Sequence, residues 1–154
     1  MTKITYEGPK TDEMPYEILP YKAKTVNGNH WVRGAYMCYY PNTENPMSPQ
    51  PSASEYKHII IVPRSTDWNL PKVLEEHDVQ PGTICRFAHM FDENLTPIYE
   101  HDIISYKNKT YEVRFSNGMF MAFDQPNNFS LGDYILLYEI ADVCKVVGNI
   151  IDGI

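Results

Sequence analysis

The sequence predicts a mainly β, β-rich α+β fold, and three observations carry that prediction. Tyrosine is unusually frequent, at 12 residues, and with Val, Ile, Phe and Thr it supplies strand-forming side chains throughout. Twelve prolines punctuate the chain, so the strands must be short and the turns many. Two Asn-Gly pairs, Asn27-Gly28 and Asn117-Gly118, each sit between runs suited to a hairpin. With 154 residues, 43% of them hydrophobic and 21% charged, the chain has ordinary globular composition and enough length for a real core.

Residues 1–20 hold Pro9, Pro15 and Pro20 with no periodicity, which reads as an extended N-terminal arm. A β-rich N-terminal subdomain over residues 21–80 follows. It opens on a strand from Tyr21 to Thr25, the Asn27-Gly28 turn and a second strand from about His30 to Tyr40. Pro41 to Pro51 has loop composition, and His58 to Val62 is apolar enough for a core strand. Asn69 as a cap, Pro71 in the first turn and one apolar face of Leu70, Val73 and Leu74 predict a short helix near 69–77. The run Glu75-Glu76-His77-Asp78 at its end reads as a solvated face.

Pro81-Gly82 begins the second part, expected as a small SH3-like β-barrel over residues 81–154. Strands are expected over Thr83–Met90, Ile98–Tyr99 with Asp102–Tyr106, Thr110–Phe115, Met119–Phe123, Tyr134–Ile140 and Cys144–Ile150. A polar loop covers Phe91–Pro97, Lys107-Asn108-Lys109 forms a turn, and a second loop spans Gln125-Pro126-Asn127-Asn128. Closure of such short strands into a barrel would remove exposed edges.

Chemical signatures are few. Thirteen basic against twenty acidic side chains give a net charge of −7, which argues against unaided binding to nucleic acid or anionic membrane. The first twenty residues lack the apolar segment of a secretory signal, and no apolar run approaches a membrane span, so a cytoplasmic location is expected. Cys38, Cys85 and Cys144 are widely separated and lie among apolar neighbours, the context of buried free thiols in a reducing compartment. His89, Asp92, His101 and Asp102 flank one loop, yet they lack the short fixed spacings of a metal site. His58 and His77 are isolated. Glu100, Asp102 and Glu112 are the only candidates for paired carboxylates, and ordinary rim acids have the same spacing. No phosphate loop, nucleophile elbow or CxxC occurs. Neither cofactor nor metal is expected.

Trp31 reads either as a core anchor or as a ligand-stacking aromatic. The strand Tyr36 to Tyr40 places aromatic or apolar side chains on both faces, so it must be covered twice, by the rest of the chain or by another subunit.

Three segments, taken in order, resemble the YopX family, which is encoded by bacteriophages, prophages and conjugative elements. They are Tyr21–Thr25 with Asn29–Tyr36, then Val79–Phe87 with Asp92–Asn94 and Ile98–Ile104, then Val146–Asp152. The similarity covers about residues 21–154. Three positions depart from it, where His89, Leu95 and His101 stand in place of the family's glycines. If those glycines serve a positive φ, His and Leu must relax the loop or carry strain. The resemblance implies β structure ending in an SH3-like barrel and action inside a bacterial cell, and it brings no catalytic residues.

The expectation is therefore a non-enzymatic accessory protein of a phage or mobile element, acting by protein–protein contact as a homo-oligomer. Trp31, Tyr99, Glu100 and Asp102, on the family-like motifs, are the candidate binding residues. The alternative is an acidic inhibitor of a host nucleic-acid-binding defence protein, of anti-restriction or anti-CRISPR type. Residues 1–77 balance to −1 and residues 78–154 to −6, so that inhibitor would act through the second half. A third possibility uses Glu100, His101 and Asp102 as a small-molecule or catalytic site.

Overall fold

A computed structural model describes residues 20–42, 46–64, 73–124 and 134–153. The expected N-terminal arm falls outside them except for Pro20, and so do the Gln125–Asn128 loop and residues 69–72 of the expected helix.

Six antiparallel strands form the first sheet: β1 (Tyr21–Lys24), β2 (Trp31–Tyr39), β3 (Lys57–Arg64), β4 (Val73–Asp78), β5 (Cys85–Phe91) and β6 (Pro97–Tyr99). Their order is β4-β3-β2-β1-β5-β6. The first hairpin closes on Lys24 opposite Trp31, with Thr25 N–H donating to the His30 carbonyl at 2.9 Å. Positive φ falls on Gly28 and Asn29, one residue later than a two-residue Asn27-Gly28 turn requires. The Thr25 hydroxyl explains the longer loop, since it donates to the Asn27 carbonyl at 2.6 Å.

Midway along β2 the strand changes partners. Residues 31–34 pair with β1 and residues 35–39 with β3. Gly34 sits at the changeover. A Cβ there would lie 2.1 Å from the Ile61 carbonyl oxygen, so only glycine lets the two backbones approach.

The helix expected near 69–77 is not formed over its described part: Val73–Asp78 is the edge strand β4, paired along its length with β3. Nine residues make a marginal helix by themselves, and the apolar strand Lys57–Arg64 offers a full ladder instead.

The second sheet holds β7 (Asp102–Tyr106), β8 (Lys109–Ser116), β9 (Met119–Asp124), β10 (Tyr134–Leu136) and β11 (Lys145–Asn149), in the order β10-β9-β8-β7-β11. Asn117-Gly118 makes the expected tight turn, with φ of 52° and 78°. The expected closed barrel is not seen among the described residues: β10 and β11 are the two edges of an open sheet. Two features oppose closure. The strand expected over Tyr134–Ile140 stops at Leu136 and becomes one helical turn, α1 (Leu137–Ile140), whose Leu137 and Ile140 cap the core. In addition, β5 and β6 join the first sheet, so the sheets divide after Tyr99 rather than at residue 81.

The main core lies on one face of the second sheet, around Ile98, Ile104, Val113, Ala122, Leu137 and Cys144. A smaller core, Ala23, Ile60 and Val79, lies on one face of the first. A third cluster, Cys85, Phe87 and Tyr99 with half-buried Trp31, Phe91 and Ile151, lies on the opposite face of the first sheet. Mainly β architecture with two antiparallel sheets is thus the fold.

Candidate functional site

Paired residues of neighbouring strands share a face, so the register fixes what each side of the first sheet carries. Lys22 is opposite both Arg33 and Cys85, Lys24 is opposite Trp31, and Phe87 is opposite Tyr99. Farther along β2, Ala35 and Met37 are opposite Ile61 and Ile59 on the same side. Lysines at alternate positions of β1 therefore project among the aromatics of the third cluster.

Lys22 is the centre of this arrangement. Its Nζ donates to Asp102 Oδ1 at 2.6 Å, and both side chains are buried. The ammonium also lies 4.8 Å from the centre of the Trp31 ring and 4.9 Å from that of Tyr99. Asp102 accepts further from the Asn149 amide at 2.8 Å and from the Tyr99 backbone N–H at 2.8 Å. Strands from both sheets meet at this one carboxylate, which is the polar joint between them. Burial raises the Tyr99 phenol above its ordinary value.

Asp152 extends the joint. It pairs with Lys24 at 2.5 Å and accepts from Trp31 Nε1 at 3.1 Å, and the Lys24 bond holds its carboxyl below the usual range. Trp31 is accordingly neither an interior core residue nor a free stacking platform. It is half-buried, with its edge donating to Asp152 and its face on Lys22 and Lys24.

Glu100 faces a different partner. Its Oε1 accepts from Arg86 Nε at 3.0 Å and Nη2 at 2.6 Å, while Oε2 takes the Arg86 backbone N–H at 3.0 Å. These two bonds to one carboxylate oxygen lift the Arg86 guanidinium above its ordinary value, and that group covers the Phe115 ring at 4.0 Å. Glu112 is similarly engaged, by Arg114 Nε at 2.8 Å and by His101 Nδ1 at 3.2 Å. Burial alone would push the Glu112 carboxyl up, but His101 and Arg114 bring it below the usual range. The same hydrogen bond raises His101.

The structure thus brings Trp31, Tyr99 and Asp102 together and directs Glu100 to Arg86. Lys22 is the residue that sequence reasoning missed. The available signal was its place in an alternating strand, opposite Arg33, where a lysine has to find an acid or water.

The four loop residues weighed as metal ligands separate. The His89 ring lies tilted against Phe87 with centroids 4.8 Å apart, and Asp92 accepts backbone N–H groups of Asn94, Thr96 and Val146 at 2.8, 2.8 and 2.9 Å. Burial works against the Asp92 charge, and those N–H bonds outweigh it, leaving the carboxyl below its ordinary value. His101 and Asp102 are engaged as above. Among the described residues no group of three or more His, Cys, Asp and Glu is placed to hold a metal. His58 meets the Tyr36 hydroxyl at 2.7 Å, and His77 lies 3.6 Å from Glu75.

The thiols divide as well. Burial pushes Cys85 up to about 12 and Cys144 up to about 11, so neither is a thiolate at neutral pH. Cys38, expected to be buried, is exposed on β2. Cys38 lies opposite His58 near the end of the β2–β3 pairing, beyond the Tyr36 and Ile60 that pack in the smaller core.

Leu95, His101 and His89 have φ of 61°, 65° and 57°. Backbone contacts lock two of these positions. Leu95 N–H donates to the Asp92 carbonyl at 3.0 Å, and His101 donates to the Val113 carbonyl at 2.7 Å while accepting from Ile150 at 2.9 Å. These positions carry the strain rather than relaxing the loop.

A scan against protein-family models finds no match to this chain, and a search of curated proteins finds none either. No described helix is long and apolar enough to cross a membrane.

Proposed function

We propose that the protein acts by protein–protein contact, as a homo-oligomer, inside a bacterial cell, as an accessory protein of a phage or mobile element related to the YopX family. One observation carries the contact reading. The polar residues of the family-like motifs are engaged internally, whereas the outer half of the first sheet's Trp31 face carries exposed apolar side chains. Asp102, Glu100, Glu112 and Asp92 are each buried and matched by cations or backbone N–H groups. Beyond them, Ala35, Met37 and Leu74 are exposed beside half-buried Ile61 and Pro63. The inner half of this face is covered by Asp102, Asn149 and the Ile151-Asp152 turn, while on the outer half Ile59 is buried and Ala35, Met37 and Leu74 remain exposed.

The left-handed conformations of residues 89, 95 and 101 support the kinship, since these are the positions where the YopX-like pattern carries glycine. The inhibitor reading draws less support. Four of the acidic residues that give the second half its charge point inward, where they cannot imitate a phosphate backbone. The solution mass of the chain, measured by light scattering after gel filtration, tests the contact reading.

A further inference from the structure

Cys38 on β2 is the exposed thiol of the three, and it does not stand alone. Strand pairing puts it directly opposite His58 of β3, and Tyr36, two residues back along β2, shares that face. The Tyr36 hydroxyl lies 2.7 Å from His58 Nδ1, and the two rings are stacked with centroids 6.0 Å apart. The same hydroxyl is hydrogen-bonded to the Cys38 side chain. Thiol, phenol and imidazole thus form one chain of contacts across two strands, apart from the joint built on Lys22 and Asp102.

The direction of that chain follows from the donors at hand. Burial first, and then the Cys38 bond, raises the Tyr36 phenol above its ordinary value, so the hydroxyl stays protonated and has one proton to give. A thiolate is a charged acceptor, and the phenol O–H turns to it. The phenol oxygen then accepts from His58, which carries its proton on Nδ1. Each bond polarises the next, so two linked donors hold a negative sulfur that stays open to solvent. Cys85 and Cys144 lack that access: both are buried, with their thiols donating to the Thr83 and Ala141 carbonyls. Around the chain, β1 contributes Tyr21, 5.5 Å from Tyr36 between ring centres. From β4 come His77 and Glu75, the latter bonded to Arg64.

We propose that Cys38 is a site of mixed-disulfide formation with small disulfides, activated by the Tyr36–His58 chain. Its thiolate attacks one sulfur of the small disulfide. A new S–S bond joins Cys38 to that half and the original S–S bond breaks. The other half leaves as a thiol, carrying a proton equivalent to the one that Cys38 gave up. The Cys38 sulfur is oxidised to the disulfide level and the departing sulfur is reduced, so the small disulfide is the only oxidant required. Cys38 faces the opposite side of the sheet from Met37, so a failure here leaves the contact reading untouched.

The test uses the full chain and the uncharged disulfide dithiodipyridine, whose released thiopyridone is followed by absorbance. An uncharged probe is not steered by the net charge of −7. One thiol per native chain is expected to react, and Cys38→Ser removes it. The wild-type rate at about pH 7 is expected to exceed that of the same cysteine in a peptide of residues 35–41 by about threefold or more. Tyr36→Phe keeps the ring and loses the hydroxyl, so its rate falls to about that of the peptide, and His58→Gln slows the reaction as well. A variant with damaged folding shows itself by titrating more than one thiol, and the comparison of native wild type with the peptide then decides. A wild-type rate no faster than the peptide's overturns the proposal. So does a Tyr36→Phe chain that titrates one thiol at an undiminished rate.

Discussion

Replacing Lys22 by Met tests whether the joint between the sheets is the polar tie described here. Methionine keeps the length of the stem and its packing against Trp31 and Tyr99, and it removes the ammonium that lies 2.6 Å from Asp102. Asp102 then keeps only the Asn149 amide and the Tyr99 N–H for a carboxylate that is 2% exposed. Breaking a buried pair from one side costs about 3–5 kcal/mol, because the remaining charge stays desolvated. In a domain of this size that lowers the melting temperature by about 6–20 °C. The assay is thermal unfolding by circular dichroism for the wild type, Lys22→Met, Asp102→Asn and the double variant. The pair is expected to show a coupling energy above about 1 kcal/mol, with the double variant less unstable than the sum of the singles. A Lys22→Met protein that melts within about 2 °C of wild type would refute the reasoning and return Asp102 to the pool of residues free for chemistry.

Other consequences follow from single positions. Leu95 is exposed and held at φ 61°, so Leu95→Gly removes about 1–2 kcal/mol of left-handed strain at about 0.5–1 kcal/mol of chain entropy. A net gain of about 0.5–1 kcal/mol in urea unfolding is expected, and a loss would mean that the leucine side chain supports the loop. Gly34→Ala drives a methyl group against the Ile61 carbonyl and should cost at least about 2 kcal/mol, read as a lower urea midpoint or loss of soluble protein. The His101–Glu112 bond predicts a pH signature. Its His101 part is fully present below that residue's ordinary 6.5 and lost as pH rises through the raised folded value. Its Glu112 part is present above the ordinary 4.5 and lost as pH falls through the lowered one. The melting difference between wild type and His101→Gln should therefore peak at roughly pH 5–6 and shrink toward pH 9. A difference that does not vary with pH would show that the contact is not ionic.

What was legible in the sequence was local. Asn117-Gly118 announces its hairpin because two adjacent residues tolerate φ > 0, and Tyr111 and Val113 announce the core-facing side of β8 by alternation, although Phe115 on the same side is exposed. The strand β4 was not legible. Leu70, Val73 and Leu74 also fit a helical stripe, and only the ladder offered by β3, remote from any local pattern, decides between the two. The open second sheet was hidden for a similar reason: nothing in Tyr134–Ile140 marks the change from strand to helical turn after Leu136. At the site, Asp102, Trp31 and Tyr99 were identifiable as unusual residues on family-like motifs. Their partner Lys22 is 80 residues from Asp102 in the chain, and no spacing rule links such a pair. Strain at positions 89, 95 and 101 was legible in advance only because the YopX resemblance implied glycine there.

The most direct measurement is the mass of the full chain by light scattering across a concentration series, for wild type and Met37→Glu. Met37 is 46% exposed at the open face and distant from the polar joint, so the substitution leaves folding intact while placing a charge on the contact surface. The expected result is a wild-type mass of at least twice 17.9 kDa at the upper concentrations, with Met37→Glu falling to the mass of one chain. A wild-type chain that holds at 17.9 kDa throughout, or a Met37→Glu chain that associates as strongly as wild type, would contradict it.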